Sequence, residues 1–354
     1  MIIQSNQDLE KFCKLASRKK VLFIDTEFDR RNTYYSELSF ISVYDGTKFW
    51  LIDCLTGIKV EALSKVLSNK KITKVLHGSQ QDLEIFKHLQ LPLNSLFDTQ
   101  TAAQFCGFEQ PISYANAVLK ICKVSLDKQL QNSDWLKRPV NKKTIEYLKN
   151  DVKYLKPLYA FFLKELKKNK NLSYFKEEMS IIDQSSDTIT SSLIRKKMNS
   201  NTINNKNFQS LLHTREQLAQ KKNLPKNWIF PDSGILTIIK NKEYKGIKEN
   251  KNLTFQEKKM LINKFKKIKV QKNNNKITND NIIKLINIIR SEVSKNKNIS
   301  EQLISNKNDT IAYLEDGLKK NGKWREKIFY KTTDQLIKKN LKIKIKKNTI
   351  AFKF

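Results

Sequence analysis

The sequence predicts an α/β domain over its first 165 or so residues, followed by a helical half. Three observations predict it. Strand-like runs fall almost wholly before residue 165, interleaved with helical spacing. Beyond that point the apolar periodicity is helical nearly throughout. The charge changes at the same place, as counted below.

The elements follow in order. VLFIDTEF (21–28) is an apolar run ending in acidic residues and reads as a buried strand. LSFISVYDGTKFWLIDCL (38–55) reads as two strands around an Asp45–Gly46 turn. KVLHGS (74–79) is a short strand running into a helix, DLEIFKHL (82–89). KKTIEYLKNDVKYLKPLYAFFLKEL (142–166) predicts one long helix, with Ile145, Leu148, Val152, Leu155 and Leu158 as its apolar stripe. Helical patterns then cover 206–222, 232–240, 254–267, 281–294, 299–305 and 308–320. Pro225 and Pro231 bracket a loop, with Asp232 placed to cap the next helix. The Asn/Lys-rich stretch 270–281 reads as a linker, and LKIKIKKNTIAFKF (341–354) as a strand or a frayed tail. The expected division is a first domain at 1–168, a helical connector at 169–204, and helical domains at 205–270 and 278–354.

Composition excludes several classes. No stretch approaches ~18 consecutive apolar residues, so no membrane helix and no membrane partner are expected. The N-terminus lacks the basic, apolar and small-residue succession of a secretory signal. Cys13, Cys54, Cys106 and Cys122 form no C-x-x-C pair and read as free thiols of a reducing cytoplasm. His77, His88 and His213 are too scattered for an imidazole metal site. A metal here would be held by carboxylates, which favours Mg²⁺ or Mn²⁺.

The chain carries 68 Lys+Arg against 35 Asp+Glu, a net of +33. Residues 1–160 hold 24 basic and 17 acidic residues, a net of +7; residues 161–354 hold 44 and 18, a net of +26. A field of that size attracts polyanions. Lys- and Asn-rich runs such as 164–171 also read as the product of an AT-rich genome, so charge alone does not decide the partner.

Asp25 and Glu27 stand two apart at a strand end and share a face. Like charges so placed repel unless a cation lies between them; a solvated strand end or salt bridge is the plainer alternative. Asp82 also fits a capping box with Ser79. Tyr147 and Asp151, four apart on a helix, also fit an exposed pair. Together, four carboxylates from three separated segments can hold two divalent ions about 4 Å apart, the arrangement for in-line phosphodiester hydrolysis. Tyr147 can then orient the water, and accept its proton if cations lower its ordinary pKa of about 10.

DTEF (25–28), HGSQQDLEIF (77–86) and YLKND (147–151) resemble the three exonuclease motifs of the DEDD superfamily, with the Tyr that marks its Tyr-type branch. FIDTEFDRRNTYYSELSFISVYDG, LFDTQTAAQFCG (96–107), LDKQLQNSDWLKRPV (126–140) and YLKNDVKYLKPLY (147–159) resemble bacterial ribonuclease D almost continuously over residues 1–165. The resemblance implies a ribonuclease-H-like exonuclease domain with a mixed sheet flanked by helices. It implies metal ligands at Asp25, Glu27, Asp82 and Asp151, water handling by Tyr147, and Phe28 and His77 at the terminal-nucleotide site. Gly78 departs from the Ala usual after the motif's His. Residues 211–239, and 299–317 with 322–329, are similar to HRDC helical modules, either RNA-holding or simply packed on the nuclease. Trp228, Phe230 and Trp324 are expected in their cores rather than as base-stacking platforms.

The expected reaction releases nucleoside 5′-monophosphates from RNA 3′ ends, as in trimming tRNA precursors and other small structured RNAs. No obligate protein partner is evident. A DNA exonuclease of the same superfamily and a non-catalytic RNA-binding protein are the alternatives. Matched RNA and DNA strands separate the first, and metal-independent binding without cleavage the second.

Overall fold

A computed structural model describes residues 1–127, 129–130, 133–184, 194, 198, 200–203, 205–268, 280–317, 319–337, 342–346 and 349–353. It divides into two compact units. The first comprises Met1–Phe28, Leu38–Ser185 and Thr278–Phe354, and the second Asp29–Glu37 with Ser186–Ile277.

The first unit is built on a six-stranded mixed sheet. Its strands are β1 (Ile2–Ile3), β2 (Val21–Asp29), β3 (Glu37–Tyr44), β4 (Phe49–Asp53), β5 (Thr73–Leu76) and β6 (Leu96–Asp98), in the order β1-β4-β3-β2-β5-β6. β3 and β4 pair antiparallel, Val43 opposite Trp50, across the expected Asp45–Gly46 turn. Gly46 adopts φ +91°, and Asp45 Oδ1 accepts from the Thr47 and Lys48 amides, which fixes the turn. β2 pairs in parallel with β5, Phe23 opposite Val75, and β5 in parallel with β6. Because β5 ends at Leu76, the acidic end of β2 runs on beyond its partner.

Helices flank the sheet: α1 (Asn6–Ala16), α2 (Ser64–Leu67), α3 (Gln80–His88), α4 (Thr99–Gln104), α5 (Tyr114–Cys122), α6 (Lys142–Lys153), α7 (Leu155–Lys168) and α8 (Leu172–Gln184). α1 shows the logic: Ser5 caps it by accepting from the Asp8 amide, and it buries Leu9, Phe12 and Ala16. The single long helix expected over 142–166 is in fact two, broken at Tyr154. Pro157 supplies the reason: it has no N–H for the Lys153 carbonyl and its ring crowds that carbonyl. The apolar stripe survives the break, with Leu148, Val152, Leu155 and Leu158 buried.

The second unit is helical: α9 (Lys206–Lys222), α10 (Asp232–Asn241) and α11 (Phe255–Lys266) around a core of Phe208, Leu212, Ile235, Ile238, Leu261 and Phe265. Asp232 does not cap α10 with its side chain. Pro231 stands at the cap, while Asp232 pairs with buried Arg215 at 2.6 Å. Between Pro225 and Pro231 a single turn, Lys226–Ile229, replaces the expected loop. The β2–β3 connection joins this unit. Asn223 Oδ1 accepts from the Tyr34 and Tyr35 amides, and the Tyr34 hydroxyl donates to Glu216. Phe230 is core as expected, but Trp228 is 44% exposed and Phe255 80% exposed.

Residues 278–354, expected as a separate module, lie in the first unit. They contain α12 (Asp280–Lys297), α13 (Lys307–Asp316) and a terminal hairpin of β7 (Lys342–Lys346) and β8 (Thr349–Lys353), so the alternating tail is two strands. Their attachment is polar and buried. Asn171 Nδ2 donates to the Phe105 and Lys297 carbonyls, and Ser300 N to Gln104 O at 2.7 Å. Arg325 forks onto Glu178 at 2.7 Å through both nitrogens, and Trp324 Nε1 donates to the same carboxylate. Trp324 is thus core. The linker expected at 270–281 falls almost entirely outside the described residues, as does much of the 169–204 connector beyond α8.

Candidate active site

Three segments converge where β2 outruns β5. β2 brings Asp25 and Glu27, the first turn of α3 brings Asp82, and α6 brings Tyr147 and Asp151. One carboxylate oxygen each from Asp25, Glu27 and Asp151 lie within 4.8 Å of one another. Asp82 faces the same cavity but stands outside that trio, its Oδ1 accepting from Thr26 Oγ1 at 2.6 Å. It is not a helix cap. Ser79, at the cap position, gives its hydroxyl to Asp98 Oδ2 instead.

Among the described residues, none of the four carboxylates forms an ion pair. Their protonation shows the consequence. Burial, then the charges of Glu27, Asp151 and Asp82, push Asp25 well above the usual carboxylate range. Burial, then Asp151 and Asp82, push Glu27 to about 9. Burial raises Asp82 and Asp151 each to about 7, although the Thr26 hydroxyl bonded to Asp82 and the Tyr147 hydroxyl beside Asp151 pull the other way. Such a cluster cannot hold its full negative charge at neutral pH without cations.

Tyr147 is partly buried, and its hydroxyl faces the Asp151 carboxyl. Burial and the charges of Asp151, Glu27 and Asp25 all raise its pKa, so it stands here as a neutral phenol. That suits orienting a water. Accepting its proton requires enough bound positive charge to reverse the carboxylates' effect.

A cavity of about 470 Å³ opens over this cluster, walled by Phe28, His77, Ser113, Tyr114, Trp135 and Leu155. His77 is held rather than free. Its Nε2 meets the Ile112 carbonyl at 2.9 Å and must be the donor, while Nδ1 meets Thr99 Oγ1 at 2.9 Å. Burial lowers its pKa, so the neutral ring offers the cavity a face, not a base. Gly78 has φ +68° with Gln100 Oε1 3.3 Å from where a Cβ would stand, a place that Gly fills without strain.

Sequence reasoning passed over four supporting residues. Thr26 orients Asp82. Asp98 gathers the Gly78 and Ser79 amides and caps α4. Trp135 walls the cavity, and Arg138 anchors its loop by pairing with Asp53 at 2.6 Å. Only Asp98 left a local signal, an acid between strand-like and helix-like runs.

Buried carboxylates from one strand and two helices with no counter-cation among the described residues, a tyrosine beside one of them and a cavity above fit the nuclease class of metal-dependent hydrolases. Comparison agrees: residues 1–167 match the 3′-5′ exonuclease family model. Ribonuclease D of Jannaschia sp. is 32% identical over 250 residues, 68% of this chain and 65% of that protein. Ribonuclease D of Bartonella henselae is 27% identical over 95% of this chain and 90% of its own length. The match thus spans slightly under two thirds of the first of these relatives and nearly all of the second. The crystal structure of Escherichia coli RNase D, described as an exoribonuclease involved in structured RNA processing, superposes with a TM-score of 0.78 at 23% identity. It covers 96% of this chain and 98% of that one, and so shares its fold. Residues 1–167 therefore belong to the 3′-5′ exonuclease family, and the chain is similar to ribonuclease D over most of its length.

Proposed function

We propose that the chain is a 3′→5′ exoribonuclease that hydrolyses RNA from its 3′ end and releases nucleoside 5′-monophosphates. The observation that carries the reading is the convergence of Asp25, Glu27 and Asp151 within 4.8 Å, with Tyr147 beside Asp151 and no counter-cation present among the described residues. Hard oxygen donors crowded without a cation fit Mg²⁺ or Mn²⁺. The ligands are Asp25, Glu27 and Asp151, with Asp82, held by Thr26, completing a two-ion set. Bound there, divalent cations neutralise phosphate charge and make water a nucleophile near pH 7.

The chain's own residues do the rest. The Tyr147 hydroxyl, beside Asp151, has lone pairs to accept from a water, which aims that water at the phosphorus. Phe28 and the ring face of His77 wall the space for the terminal nucleoside. At 470 Å³ the cavity lies in the ordinary range for a small-ligand site.

The partner is RNA, with tRNA precursors and other small structured RNAs as the substrates. The second unit supports holding it, as an HRDC-like module. Residues 205–268 carry 15 basic against 5 acidic residues, a net of +10. Exposed Phe255 stands one turn from Lys258 and Lys259 on α11, aromatic surface and positive charge together. The compartment proposed is the cytoplasm. All four cysteines are free, and no described helix is long and apolar enough to cross a membrane. Matched RNA and DNA strands incubated with Mg²⁺ test the substrate class. Nucleoside 5′-monophosphates from RNA alone support the reading, and equal loss of DNA supports a DNA exonuclease.

A further inference from the structure

We propose that Trp135 is a positioning residue for Tyr147, held in place by an Arg138–Asp53 tether. Trp135 lies in the irregular connection between α5 and α6, yet it is only 6% exposed. Its indole packs against the Tyr147 ring, centroids 5.9 Å apart and planes 36° apart. It belongs to a small core with Phe40 of β3, Leu51 of β4 and Leu148, the residue after Tyr147 on α6. One cluster therefore sets both the seat of α6 on the sheet and one wall for its tyrosine.

The loop is fastened from beneath. The Trp135 carbonyl accepts from Ser39 Oγ at 2.5 Å and from Arg138 Nη1 at 2.9 Å. Arg138 forks onto fully buried Asp53, Nη2–Oδ1 at 2.6 Å and Nε–Oδ2 at 3.0 Å, and stacks 3.9 Å over the Phe40 ring. Burial pushes the Asp53 carboxyl up, but the bonds from Arg138 and Gln4 more than offset it and hold it below the usual range. A lysine has no such fork and cannot replace Arg138.

The consequence is rotameric. A helical tyrosine has few staggered wells open to it. With the indole on one flank, the packing favours the well that turns the hydroxyl toward the carboxylate cluster. Without it, Tyr147 gains freedom at the point where a displacement of ~1 Å costs up to roughly 100-fold in rate.

The test rests on the exonuclease reading and is built to separate the two. Trp135→Ala should lower the single-turnover cleavage rate at saturating RNA between roughly 10- and 100-fold. Trp135→Phe should restore most of the rate. In a Tyr147→Phe background, Trp135→Ala should add less than about a twofold loss, because it acts through the missing hydroxyl. The same factor lost in both backgrounds overturns the proposal. A readout independent of catalysis is the Tyr147 resonance of 3-fluorotyrosine-labelled protein, assigned with Tyr147→Phe. It should shift and broaden in Trp135→Ala, and an unchanged resonance overturns the positioning claim even if no cleavage is seen. A changed resonance in a chain that cleaves nothing sinks the exonuclease reading alone.

Discussion

Replacing Asp151 by Asn should abolish cleavage and at the same time stabilise the metal-free protein. In the fold, burial raises the Asp151 carboxyl from 3.8 to about 7, a change of roughly three units. At ~1.4 kcal/mol per unit, ionising it inside the fold costs on the order of 4 kcal/mol. Partial exposure and the charges it shares with Asp25 and Glu27 make that an upper bound. The sign follows from linkage. A raised folded pKa means that the fold holds this proton more tightly than the unfolded chain does. The associated stability is fully present below about pH 4 and is lost as pH rises through about 7. Wild type in EDTA should therefore melt lower at pH 8 than at pH 5.5, and Asp151→Asn should be spared much of that loss. At pH 8 the variant should melt several degrees above wild type, at roughly 2–4 °C per kcal/mol for a domain of this size. Saturating Mg²⁺ should raise wild type by about 2.7 kcal/mol at 100 times its Kd and the variant by less. Circular-dichroism melts at the two pH values, with EDTA and with Mg²⁺, decide it. A variant no more stable than wild type at pH 8 in EDTA would refute the claim that ionising this buried carboxyl without a cation costs the fold stability.

Three further outcomes follow from the geometry. Tyr147→Phe should slow single-turnover cleavage strongly while leaving Mn²⁺ affinity, measured by electron paramagnetic resonance, nearly intact; full rate would remove the water-orienting role. Thr26→Val deletes the donor to Asp82 and should cost about 1.5–3 kcal/mol of transition-state stabilisation, roughly 10- to 150-fold in kcat/KM. An unchanged kcat/KM would mean that Asp82 needs no such support. Phe255→Ala should weaken binding of long single-stranded RNA by about 1–3 kcal/mol while sparing a dinucleotide substrate, by fluorescence anisotropy; equal effects on both would remove the stacking role.

The site was legible where chemistry follows local spacing. The two-residue period of a strand put Asp25 and Glu27 on one face, and the four-residue repeat of a helix did so for Tyr147 and Asp151, but only the segments taken together with Asp82 pointed to a metal site. The sheet was legible for the same reason through β2 to β5. What escaped depends on distant partners. Arg138 meets Asp53 across 85 residues, and no periodicity reports that. Nothing local marks residues 29–37 for the second unit, because the partners that draw them there, Asn223, Glu216 and Gln220, lie far along the chain. Trp228 was expected in a core because large aromatics usually are; its short turn leaves it at the surface. The helix break before Pro157 was readable from proline chemistry, but the continuous apolar stripe outweighed it.

The most direct measurement follows a 5′-labelled single-stranded RNA incubated with the protein and Mg²⁺, beside an EDTA control and Asp151→Asn. The account predicts a ladder that shortens stepwise from the 3′ end with wild type, and intact RNA in both controls. RNA that stays full length with Mg²⁺ and with Mn²⁺, while still bound by the protein, would contradict it.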